Sequence, residues 1–224
     1  MRLRLLMAFW GFIIFIISAC GPEPQLRSDK LLQETGFISG EPCAAPCWRG
    51  ITPGETTWND AIAIIQDDPT LDKLQTRADG DQIGAAWAQS GGDGCCQMFT
   101  EENGEIVSFI VLQIAPTITL GEVLAVHGEP RYLIGEAITD KQGLMTLFYP
   151  DVPMLIYAFV AGEEGGLTAE SEIVGVGYMS GELMQLLIDS TTPGLYAWEG
   201  YQTYQYYMNG ELAVTPSITM TPSD

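Results

Sequence analysis

The chain has 224 residues, with 29 Asp and Glu against 9 Lys and Arg, for a formal net charge of −20. Such a surface repels phosphate backbones and anionic headgroups, which excludes nucleic acid as a partner and favours cations or basic proteins. Hydrophobic residues make up 46% of the chain, enough for a packed core, which excludes a wholly disordered protein.

The N-terminus comes first in chain order. Arg2 and Arg4 precede an uncharged, largely apolar run from Leu5 to Ala19. The run matches the apolar part of an export signal and is shorter than the roughly 20 residues a spanning helix needs. An uncleaved signal anchor is the other reading of the same residues. Ile17-Ser18-Ala19-Cys20 resembles the lipobox of bacterial lipoproteins. That resemblance implies cleavage before Cys20 and a diacylglycerol on its thiol, so residues 1–19 are expected to be a signal peptide. Two acyl chains suffice for stable anchoring. The expected location is the cell membrane or outer membrane, lipid-anchored and extracytoplasmic, with the membrane as a partner through the N-terminal lipid. Residues 20–40 read as a tether, with Pro22 and Pro24 opposing regular structure.

Four further cysteines follow: Cys43, Cys47, Cys95 and Cys96. An even number in an exported chain reads as disulfides. Adjacent cysteines on a strand point to opposite faces, which argues against a bond between them. The favoured expectation is two bridges tying the Cys43–Cys47 loop onto Cys95 and Cys96. A four-thiolate zinc site is the alternative, although the spacing does not fit a zinc ribbon.

Thr57, with Asp60 three residues on, opens a helix whose apolar stripe is Trp58, Ala61, Ile62 and Ile65. Strand-like runs follow at Leu71 to Thr76, Gln82 to Ala88, Cys95 to Thr100 and Ile106 to Ile114. Asp79-Gly80-Asp81 and Asn103-Gly104 are turn signals between them. The pattern recurs. Thr119 and Glu122 form a capping box, Leu120, Val123, Leu124 and His127 repeat the stripe, and Gly128 and Pro130 end the helix. Strand-like runs return at Arg131 to Ala137, Met145 to Tyr149, Met154 to Phe159 and Glu172 to Met179. The expected fold class is α+β: two tandem units of one short helix plus an antiparallel four-stranded meander, over residues 41–115 and 116–181. The Gly128-Glu129-Pro130 after a short capped helix resembles the SmpA/OmlA family of outer-membrane assembly lipoproteins and the related fold of β-lactamase inhibitor proteins. Those families are non-enzymatic binding modules, and the resemblance implies the same here.

Residues 182–212 form an extension that opens with a short helix at Leu183 to Ile188. Trp198, Tyr201, Tyr204 and Tyr207 then share a three-residue spacing, so one helical face can carry all four. They either pack over an open sheet face or form a contact surface for a sugar or peptide. Residues 213–224, rich in Thr, Ser and Pro, read as a disordered tail. His127 is the only histidine, which excludes a paired-histidine metal site, and its stripe position suits a core or helix-end residue. There is no Gly-x-Ser-x-Gly elbow and no phosphate-loop lysine. No cofactor is expected. The functional expectation is a membrane-anchored, exported, non-enzymatic binding or envelope-assembly module, with another envelope protein as a candidate partner. The alternatives are a carboxylate-dependent hydrolase of envelope glycans and a purely structural lipoprotein.

Overall fold

The computed structural model describes residues 26–79, 82–101, 104–190, 194–210 and 212–214. The lipobox, the two tether prolines, Pro193, the tips of both hairpin turns and the tail from Thr215 lie outside the described residues, whereas Ala213 and Val214, expected in the disordered tail, belong to a strand that pairs at the sheet edge. Five helices occur among those described: α1 (Gly36–Ser39), α2 (Trp58–Asp67), α3 (Leu120–His127), α4 (Gly181–Ser190) and α5 (Tyr204–Met208). The strands are β1 (Leu71–Asp79), β2 (Gln82–Gln89), β3 (Gly94–Thr100), β4 (Val107–Gln113), β5 (Tyr132–Thr139), β6 (Gln142–Tyr149), β7 (Met154–Val160), β8 (Ile173–Met179), β9 (Leu195–Ala197) and β10 (Leu212–Val214).

All ten strands belong to one antiparallel sheet, in the order β1-β2-β3-β4-β8-β7-β6-β5-β9-β10. This corrects the α+β expectation of two helix-plus-meander units: among the described residues, 41% strand against 21% helix makes a largely β fold. The reason lies in β4 and β8. Each would be the bare edge of a separate unit, and all seven residues of β8 are buried. An apolar edge with unpaired backbone groups is unfavourable. The two strands pair with each other instead, from Phe109 opposite Met179 to Gln113 opposite Gly175.

Strand alternation sorts the side chains onto two faces. One face carries Trp87, Met98, Ile110, Leu112, Leu147, Ile156 and Tyr178, which pack in one cluster with Ala61 and Ile65 of α2 and Leu120 and Val123 of α3. The caps of those helices form as their sequences imply. Thr57 accepts from the Asp60 N–H, and Thr119 and Glu122 make the reciprocal box. The opposite face carries Phe148, Leu155 and Met179 beneath Met184 and Ile188 of α4. Each fully buried leucine or isoleucine contributes about 1.5–3 kcal/mol relative to exposure. Helix α4 covers only part of this second face.

The tether expectation for residues 20–40 also needs correction. Leu31, Leu32 and Phe37 are buried in the main cluster, and Leu32 bridges to Ile114 at the end of β4. Residues from Leu31 onward are therefore part of the packed body. Before them, Arg27 lies over the Phe159 ring and is paired with Glu172, fixing where the chain enters the domain.

Candidate functional site

The cysteines pair locally, Cys43 with Cys47 and Cys95 with Cys96. This overturns the expected staple between the arm and the sheet, and with it the zinc alternative. The register explains the vicinal bond. Trp87 lies opposite Cys96 and Ala88 opposite Gly94, so Cys95 is an extra residue in β3. A bulge breaks the strict alternation that would hold the two sulfurs on opposite faces. The arm docks through Trp48 instead. Its ring is 2% exposed and lies 5.4 Å from that of Trp87. Its Nε1–H donates to Glu34 Oε2 at 2.8 Å, and the other Glu34 oxygen accepts the Gly36 N–H. The Arg49 guanidinium lies over the Trp48 ring and is paired with Asp68. The cleft here, ≈ 460 Å³, is lined by these groups and by Glu41, and the one cation among the described residues of its lining, Arg49, is already taken by Asp68.

The predicted aromatic residues gather at the other end of the sheet, around β9 and α5, but not on one helical face. Only Tyr204 to Met208 is helical, so Trp198 and Tyr201 sit on the loop before it. Within α5 the three-residue spacing turns Tyr204 and Tyr207 inward. Tyr204 lies over Gly135 of β5: an added Cβ there would sit 2.6 Å from its ring, so the glycine makes room for the tyrosine. Tyr207 is 2% exposed. Its hydroxyl donates to Gly200 O at 2.6 Å and accepts from the Glu199 N–H at 3.0 Å, which pins the loop. The Trp198 ring stacks on Tyr207 at 6.4 Å, and Tyr201 meets Trp198 edge-on at 6.1 Å. Burial pushes the Tyr207 hydroxyl above the usual tyrosine range. Tyr204 and Tyr207 are therefore supports, and Tyr201 is a surface ring.

Tyr206 was missed by the spacing argument because it falls between the two inward positions. It is 46% exposed and Tyr201 is 45% exposed. The Tyr206 hydroxyl donates to Glu199 Oε2, and that carboxylate holds its pKa above the usual range. Beside it is a cleft of ≈ 560 Å³, lined by Tyr196, Glu199, Thr203, Gln205, Tyr206 and Asn209 among others. The indole N–H of Trp198 is shielded from solvent and has no acceptor among the described residues. Backbone hydrogen bonds from Leu167 N to Gln202 O and from Tyr204 N to Gly165 O, both 2.9 Å, brace the loop from outside. The corner therefore offers flat apolar rings on a rigid base, beside hydroxyl, amide and carboxylate groups, which suits holding a polar ligand with one apolar face.

His127 is the last residue of α3, and its Nε2 donates to Phe37 O at 2.6 Å. It ties α1 to α3 and stands against Tyr149. No group of His, Cys, Asp and Glu among the described residues is arranged to hold a metal ion. No helix among them is long and apolar enough to cross a membrane. No protein-family model, curated protein or solved structure matches the chain. The functional reading therefore rests on this geometry and on the sequence.

Proposed function

We propose that the chain is an exported, lipid-anchored binding module of the cell envelope that holds its ligand at the aromatic corner without transforming it. One observation carries the reading: Tyr201 and Tyr206 are exposed on a base formed by Trp198 and the buried Tyr207, and Tyr206 lines the adjoining cleft. Aromatic rings are enriched at interfaces, and two of them clustered on a rigid support suit a contact surface. The basic-then-apolar N-terminus ending at Cys20 supports the anchoring half of the proposal. The chain's acidity favours a neutral or cationic ligand over an anionic one.

The two halves are tested separately. Cells given a labelled fatty acid should label the wild-type protein and not the Cys20→Ser variant, which should persist as precursor. Equal labelling of both would reject the anchor. Crosslinking on intact cells should capture an envelope component with the wild type. Capture should fall sharply when Tyr201 and Tyr206 are both alanine. Unchanged capture by that variant would reject the corner as the binding site. The hydrolase alternative predicts turnover of envelope glycan fragments that Glu199→Gln abolishes.

A further inference from the structure

The face of the sheet that α4 only partly covers carries a second surface, distant in sequence from the aromatic corner. Strands β3 and β4 place Phe99 and Phe109 side by side there, their rings stacked 6.4 Å apart. Each ring lies on a glycine of the neighbouring strand: an added Cβ at Gly84 would meet Phe99 at 3.3 Å, and one at Gly177 would meet Phe109 at 3.1 Å. The glycines let the rings lie down, so the floor is flat and apolar. Helix α4 forms the wall with Leu183 and Leu186, and Leu186 is 60% exposed. The groove between floor and wall measures ≈ 610 Å³.

The neutral polar side chains of the groove are hydrogen-bonded within the chain. The Ser108 hydroxyl donates to Phe99 O, Ser180 Oγ accepts from Leu183 N, and the Gln82 amide donates to Thr100 O. Two carboxylates, Glu101 and Glu182, line the groove, and neither is in an ion pair among the described residues. No lysine or arginine among the described residues lines it.

We infer that this groove is a docking site for a cationic amphipathic helix of a partner protein, whose apolar face seats on Phe99, Phe109 and Leu186 while its basic side chains meet Glu101 and Glu182. An amphipathic helix offers apolar anchors at three- and four-residue spacing, which suits a shallow groove between a helix and a sheet. Charge selects among the possible occupants. A second copy would bring another acidic surface against the first, since the chain carries −20. An anionic lipid surface would face the same two unpaired carboxylates.

The test measures fluorescence anisotropy of labelled synthetic peptides against the full chain in detergent. One peptide is a leucine–lysine amphipathic helix. The second has the same residues shuffled so that no apolar face forms. The third replaces lysine by glutamate. The first should bind in the micromolar range and the other two much more weakly. Leu186→Asp, a change at an exposed position, should weaken binding by about tenfold or more. Glu101→Gln with Glu182→Gln should weaken it and reduce its salt dependence. Val126→Asp, at an exposed position on α3, should leave it unchanged. Circular dichroism checks that each variant is folded, and Leu186→Ala gives a milder version of the same change. Equal binding of the shuffled peptide, or no effect of Leu186→Asp and Leu186→Ala, would overturn the inference. So would self-association, or binding to neutral phosphatidylcholine vesicles, that Leu186→Asp abolishes while peptide binding persists.

Discussion

Replacing Trp48 tests how the cysteine arm is held to the sheet. The side chain is 2% exposed, stacks on Trp87 and donates to the Glu34 carboxylate. Removing a buried tryptophan side chain costs about 3–5 kcal/mol, because the transfer term and the cavity term add. Trp48→Phe keeps a ring against Trp87 but loses part of the indole's packing and its hydrogen bond to a carboxylate, the latter a loss of about 1.5–3 kcal/mol. The disulfide contributes less. Cys43 and Cys47 are four apart in sequence, and closing so short a loop stabilises by about 2 kcal/mol in the chain-entropy model. The expected order of destabilisation is therefore Trp48→Ala first, with Trp48→Phe and the Cys43→Ala, Cys47→Ala double variant both milder. Urea unfolding, followed by tryptophan fluorescence and far-ultraviolet circular dichroism, measures all three. A double-cysteine variant less stable than Trp48→Ala, or a Trp48→Ala cost below about 1 kcal/mol, would refute docking by burial.

Three further expectations follow from other parts of the fold. Peptide mapping without reduction should find Cys43 joined to Cys47 and Cys95 to Cys96; any bridge between the two pairs would contradict the register of β3. Hydrogen bonds from the Thr119 backbone N–H and hydroxyl hold the Glu122 carboxyl below its ordinary range. Its contribution to stability is present above the unfolded carboxyl pKa and is lost as pH falls through the lower folded value. Glu122→Gln should thus flatten the acid limb of urea midpoint against pH, and an unchanged slope would count against the capping box. Gly135→Ala should push the Tyr204 ring off β5 and cost about 1–3 kcal/mol as an overpacked site. Near-ultraviolet circular dichroism should change with it, and an unaltered spectrum at full stability would show that the corner does not rest on that glycine.

Local chemistry was legible in the sequence, and long-range pairing was not. Thr57 with Asp60, and Thr119 with Glu122, announced two helices because capping depends only on residues three apart. The eight strand-like runs lie on β1 to β8 for a similar reason: alternation and turn residues are local signals. The union of β4 and β8 in one sheet is set by which edges meet, and no local pattern encodes that. The run Ile173-Val174-Gly175-Val176-Gly177-Tyr178-Met179, with no charged residue and no polar alternation, was the available clue, since such a strand is buried on both faces and is not an edge. The cysteine pairing failed on the bulge at Cys95, which the assumption of regular alternation hid. At the aromatic corner the three-residue spacing was read as one helix, whereas only Tyr204 to Met208 is helical. That error kept the two supporting tyrosines as contacts and passed over Tyr206. The groove beside α4 was passed over because Phe99, Phe109 and Leu186 are far apart in the chain and each alone is unremarkable.

The central claim is that the aromatic corner is where the protein meets its envelope ligand. The direct measurement places a photo-crosslinking phenylalanine analogue at Tyr206 and, in a second strain, at Val126, which is 51% exposed on α3. Both strains are irradiated as intact cells. A light-dependent adduct is expected from position 206 and none from position 126. No adduct at 206, or the same adduct from both positions, would contradict it.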